Sequence, residues 1–189
     1  MPAPSAPSMY AQVLGPAFTN LAPALKRLHS SQQRRFTGVL TVRTGAHPLS
    51  RLTVWLARLP NAHVDAPCHL CLLPSKRGEL WQRYIGPWTF ITHQRLAGSP
   101  ETHAGRNEIR ERFGAITLRL SLRMKGESLC IRSVGTRILG IPLPRWFGIR
   151  VVAYETPVDK GSFACSVRVY LPGSVALLQY RGTLSQSDS

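Results

Sequence analysis

The sequence predicts a mostly β, α+β domain. It comprises about nine or ten antiparallel strands in a barrel-like or strongly curved sheet, with N-terminal helices and short covering helices. Three observations carry this prediction. Apolar and polar residues alternate with period two in segment after segment. Clusters of Gly, Pro, Asp and Lys separate those segments. Helical periodicity is confined to the N-terminal part and one later stretch. So many short strands in a flat open sheet would leave bare edges, which closure removes.

Taken in order, residues 1–8 (M-P-A-P-S-A-P-S) read as a flexible tail, 9–185 as a single domain and 186–189 as a second tail. Ser8 suits the cap of a helix carrying Met9, Val13 and Leu14, and past the Gly15-Pro16 interruption Phe18 and Leu21. Pro23 suits the first position of a second helix through Leu25 and Leu28 to His29, whose partial charge suits a helix C-terminus. Strand alternation starts at Phe36, Leu40 and Val42. The spacing of Leu49, Leu52, Trp55, Leu56 and Leu59 predicts a short amphipathic helix, stopped by Pro60. Strands are then expected at Cys68–Leu72, Glu79–Ile85, Trp88–Gln94, Glu108–Phe113, Ile116–Met124, Ser128–Arg137, Val151–Glu155, Phe163–Leu171 and Val175–Leu184. Gly98 to Asn107 reads as a polar loop. One segment stands apart: I-L-G-I-P-L-P-R-W-F, from Ile138 to Phe147, reads as a rigid apolar cover over one barrel end, either gating a ligand or plugging the core.

The chain of 189 residues, 43% hydrophobic, suffices for one domain that buries roughly 70% of its unfolded surface. It has no run of the ~20 apolar residues that a membrane helix needs. The N-terminus lacks a basic and then apolar leader, so the expectation is a soluble, cytoplasmic protein. Its formal charge is +15, and 20 of the 24 basic residues are arginine. Such charge attracts polyanions, namely nucleic acid, acidic lipid surfaces or phosphorylated ligands. The basic residues are dispersed, however, and form no nucleic-acid motif. Four cysteines without a leader argue for free thiols. Cys68 and Cys71, three apart on a strand, point to opposite faces, so they do not form a metal site without a turn. No cofactor motif, P-loop, nucleophile elbow or H-E-x-x-H is present.

Several stretches together carry a resemblance: Y-A-Q-V-L-G-P-A-F-T-N-L-A-P-A-L-K-R-L-H at 10–29, W-Q-R at 81–83, E-R-F-G at 111–114, L-G-I-P-L-P at 139–144 and Y-R-G-T-L at 180–184. In this order they resemble the bacterial DUF4166 family. That domain of unknown function occurs alone or behind a short-chain-dehydrogenase-like NAD-binding domain. The resemblance implies an oxidoreductase as a possible partner and no established catalytic residues. Thr183 stands where an aromatic often precedes the final Leu, and the Cys68/Cys71 pair is not a family feature. G-x-G-x-x-G is absent, so no dehydrogenase activity is carried over.

The scarce carboxylates mark the candidate site. Glu111 shares its strand face with Ile109 and Phe113, and Arg83 shares its own with Trp81 and Ile85. A buried charge is costly unless paired. The two therefore either meet inside the barrel or both snorkel outwards. Glu155, flanked by apolar residues, takes Tyr180 or Arg181 as its expected partner. With Trp81 and Trp146, these residues are candidate ligand contacts in a pocket for an apolar or amphipathic small molecule. Glu111 or Glu155 is the alternative general base of an enzyme using the same cavity. A third reading is polyanion binding by the outer faces carrying Arg110, Arg112, Arg119 and Arg123.

Overall fold

A computed structural model describes residues 7–75, 78–98 and 108–187. The expected loop beyond Gly98, the Lys76-Arg77 pair, residues 1–6 of the first expected tail and 188–189 of the second lie outside the described residues. Helix α1 (Met9–Leu14) begins where the Ser8 side chain accepts the Ala11 amide, and a 3-10 turn (Gly15–Asn20) follows Leu14. Helix α2 (Pro23–Leu28) opens on proline, whose fixed φ suits the first helical position, and ends at His29. Strand β1 (Arg34–Thr44) leads into α3 (Pro48–Leu56). Then come β2 (His63–Ser75), β3 (Gly78–Ile85), β4 (Trp88–Leu96), β5 (Glu108–Phe113), β6 (Ile116–Lys125) and β7 (Ser128–Ile138). The two-residue β8 (Ile141–Pro142) and a 3-10 turn (Arg145–Phe147) precede β9 (Arg150–Pro157), β10 (Ser162–Leu171), the turn Pro172–Ser174 and β11 (Val175–Gln186). Strand β11 runs one residue past the boundary expected at 185.

All pairings are antiparallel, and each long strand bonds to the next in sequence, β9 following β7 directly. Pairing of β1 with β11, from Phe36↔Gln186 to Thr44↔Leu178, closes a ring of ten. Closure depends on glycine. A Cβ on Gly38 would stand 2.0 Å from the Thr183 carbonyl oxygen, and one on Gly182 2.0 Å from that of Val39. The two strands approach more closely than a side chain allows, so the sheet can curl there.

The up-and-down course gives the barrel two ends. The base collects the β2–β3, β6–β7 and β9–β10 turns and is filled by α1 and α2, whose Tyr10, Leu25 and Leu28 are fully buried. The mouth collects α3, the β3–β4 and β5–β6 turns, the β8 segment and the Pro172–Ser174 turn. Helix α3 is fixed there by the Ser50 hydroxyl, which donates to the Ala176 carbonyl at 2.7 Å.

Two expectations are corrected at the mouth. The apolar stripe of α3 does not face the core: Leu49, Leu52, Trp55 and Leu56 are exposed, while Ser50 and Val54 are buried. The helix is amphipathic in the inverted sense: its small and β-branched residues Ser50 and Val54 face inward, and its large apolar ones face out. The Ile138–Phe147 segment is neither plug nor gate. Leu139, Ile141, Trp146 and Phe147 all stand in solvent, with the Trp146 ring edge-on to Phe147.

The wall is not uniform. Backbone pairing of β7 with β9 runs only from Leu129↔Glu155 to Arg132↔Val152. Beyond it, side-chain hydroxyls take over: the Val151 amide donates to Ser133 Oγ at 2.8 Å and the Ile149 amide to Thr136 Oγ1 at 3.0 Å. Among the described residues no helix is long and apolar enough to cross a membrane.

Candidate functional site

The ten-strand ring is wider than its side chains fill, and a cavity of about 210 Å³ remains inside. Inward positions of nearly every strand form its wall, chiefly aliphatic: Leu40, Leu70, Leu120, Ile131, Val167 and Leu178 among them. Thr53, Ala57 and Leu59 bound it at the mouth, and Tyr10 reaches it from the base.

Polar groups enter this apolar space in one cluster. On β3, Arg83 points inward between Trp81 and Ile85 by strand alternation; on β4 and β5, Thr92 and Glu111 do the same. Arg83 donates from Nη1 to Thr92 Oγ1 (3.0 Å) and from Nη2 to Glu111 Oε1 (3.4 Å), and Thr92 donates to the same carboxylate oxygen at 2.7 Å. The guanidinium lies 4.8 Å from the Trp81 ring centre and 5.7 Å from that of Phe90, which stacks on Phe113 at 4.4 Å. Burial works against the Arg83 charge, but Tyr180, Glu111, Tyr10 and Glu155 around it hold the guanidinium above its ordinary value. Tyr180 lines the same wall, and burial pushes its phenol up despite the opposing Arg83 charge, so it stays protonated as a donor.

A second polar layer seals the base. Glu155 lines the cavity, but its partner is neither Tyr180 nor Arg181: Oε2 lies 2.6 Å from Nε2 of His29. Tyr10 stacks on the His29 ring at 3.7 Å and donates to Gln94 Oε1 at 2.9 Å. Beside them Glu79 accepts from Arg34 Nη2 at 3.2 Å and from Trp81 Nε1 at 3.1 Å. His29, Tyr10, Gln94 and Glu79 were absent from the sequence-derived site. Only the helix-terminal histidine and the tyrosine of the first helix carried any signal, and neither named its partner.

The structure therefore gathers Trp81, Arg83, Glu111, Glu155 and Tyr180 around one cavity, and leaves Trp146 outside it on the surface. Cys68 faces the cavity, with its thiol pushed up by burial to about 11. Cys71 lies on the opposite face of β2, and all four cysteines are free thiols. Arg110, Arg112, Arg119 and Arg123 lie on the outer face of the barrel; Arg119 is paired there with Glu108 at 3.1 Å. Among the described residues no cluster of three or more His, Cys, Asp or Glu is placed to hold a metal.

Fold and site define a closed meander barrel with a mostly apolar interior cavity and a buried polar cluster on its wall. The profile of the domain of unknown function DUF4166 matches residues 21–184, and the chain belongs to that family. Searches of curated proteins and of solved structures found no match.

Proposed function

We propose that the barrel is a binding module for a small amphipathic molecule. The carrying observation is the cavity itself: about 210 Å³ of space walled by aliphatic side chains, with polar groups converging at Arg83, Thr92, Glu111 and Tyr180. Its volume lies between the ~150 Å³ void that takes benzene and the ~300–1,000 Å³ of drug-sized pockets. An apolar body would occupy the mouth half, and a hydrogen-bonding group would meet Arg83 and Tyr180. Presentation of the bound molecule to an oxidoreductase partner is part of the reading and rests on the family resemblance. Native mass spectrometry of the protein from its own host tests it. A retained small molecule, lost from Val167→Phe protein, is the expected result. No adduct, together with no binding of a fluorescent fatty-acid analogue to wild-type protein, overturns it.

One observation favours a second, catalytic reading. A carboxylate held at 2.6 Å by an imidazole on the wall of a mostly apolar cavity is poised for proton transfer. On that reading the retained molecule would be chemically changed on incubation with wild-type protein and unchanged with Glu155→Gln.

A further inference from the structure

Among the described residues, nine of the fourteen exposed large hydrophobic side chains lie on α3 or on the Ile138–Phe147 segment at the mouth. They include Trp55 (74% exposed) and Leu56 on α3, and Leu139 (79%), Ile141, Trp146 (77%) and Phe147 on the β8 segment. These two elements form one end face. The Arg145–Phe147 turn packs on the Pro172–Ser174 turn, which leads into the first residues of β11, where Ala176 holds Ser50 of α3. A soluble surface rarely carries so many large exposed apolar groups on one end without a partner. Leu139 also holds left-handed backbone (φ 51°), a conformation costly for leucine, with its side chain in water.

Charge identifies the partner. Arg51, Arg58, Arg137, Arg145 and Arg150 are exposed on the same end, and none of them is ion-paired among the described residues. The only described exposed carboxylate there is Asp65, whereas Glu127 and Asp159 lie on turns of the base. Tryptophan and leucine interleaved with arginine match a bilayer interface, where indole sits at the headgroup level and guanidinium pairs with lipid phosphate. Protein partners of ordinary composition would not call for unpaired arginines of one sign around the apolar groups.

We infer that the mouth end docks on an anionic lipid bilayer, with Trp55 and Trp146 inserted at the interface and the arginine collar on the headgroups. This face is distinct from the cavity, and docking does not depend on a ligand inside. Sedimentation of the full chain with vesicles tests it, using phosphatidylcholine alone or with about one-third phosphatidylglycerol. The expected result is at least roughly tenfold stronger binding to the anionic vesicles at low ionic strength, weakened by high salt. Trp55→Ser/Trp146→Ser, whose fold is checked by circular dichroism, is expected to lower binding by about tenfold and abolish the blue shift of tryptophan emission. Arg51→Glu/Arg58→Glu is expected to erase the preference for anionic lipid. Equal binding to neutral vesicles, or none at low salt, overturns the inference. So does unchanged binding of the double tryptophan variant, or a solution dimer that it dissolves in the absence of vesicle binding.

Discussion

Nε2 of His29 lies 2.6 Å from Oε2 of Glu155, joining the residue that ends α2 to the inner face of β9 across the base of the barrel. Both are buried, and Tyr10 covers the imidazole. The contact latches the N-terminal helices onto the ring. Truncating one partner leaves the other buried polar group without its bond. His29→Ala is therefore expected to cost about 3–5 kcal/mol and lower Tm by roughly 10 °C. His29→Leu/Glu155→Leu is expected to recover most of that loss, because it removes both polar groups together. Thermal unfolding of the two proteins decides it.

The Arg83–Thr92–Glu111 triangle predicts strong coupling. Arg83→Met strips Glu111 of its cation in a mostly apolar interior, for an expected loss of about 3 kcal/mol. Much less is expected in Arg83→Met/Glu111→Leu, so a double-mutant cycle should give a coupling energy of about 1–3 kcal/mol. In the ligand assay both variants should lose affinity, whereas Val167→Phe should lose capacity by filling the void without lowering Tm.

Gly182→Ala places a methyl group 2.0 Å from the Val39 carbonyl oxygen, and that oxygen belongs to the β1 backbone and cannot rotate away. The expected destabilisation is about 2–3 kcal/mol. Faster amide exchange should follow along both β1 and β11, while the β3–β4 ladder is spared. Uniform loss of protection would instead mean that ring closure is not what the glycine serves.

Alkaline pH should destabilise the protein through its inward thiols. Burial pushes Cys68 up to about 11 and Cys165 up to about 12, whereas an unfolded cysteine ionises near ~8.5. In the window between those values the unfolded chain has released protons that the folded chain retains. Stability is thus complete below the unfolded pKa and falls as pH rises through the window. Urea midpoints measured from pH 8 to 11 should decline, and Cys68→Ala/Cys165→Ala should flatten the decline.

What the sequence disclosed, and what it hid, follows from the range of the interactions concerned. Every long strand was legible because alternation and turn residues are local properties, and strand parity put Arg83 and Glu111 on the same faces as apolar neighbours, but it left open whether they meet inside or snorkel outwards. The pairing of His29 with Glu155 was not legible, since its members lie at opposite ends of the chain and meet only when β9 takes its place above α2. Helix α3 misled for another reason. Periodicity shows that an apolar stripe exists, not which way it faces, and the buried side of this helix is the inconspicuous pair Ser50 and Val54. Trp146 is expected at the cavity because the Ile138–Phe147 segment reads as a cover folded over one barrel end. In this barrel it is left bare.

The β1–β11 junction has a consequence in time. Every other rung of the wall joins neighbours in sequence and can zip as the chain emerges, but this rung joins the first strand to the last. Until Val175–Gln186 arrives, the sheet is an open trough with two bare edges, and closing so long a loop is the slow step of such a topology. During that interval the hollow that later lies between the helices of the base and α3 is an open groove along its length. On the proposed binding reading, a molecule that entered the trough before the ring shut would be enclosed by the act of folding itself, without any later opening of the finished barrel.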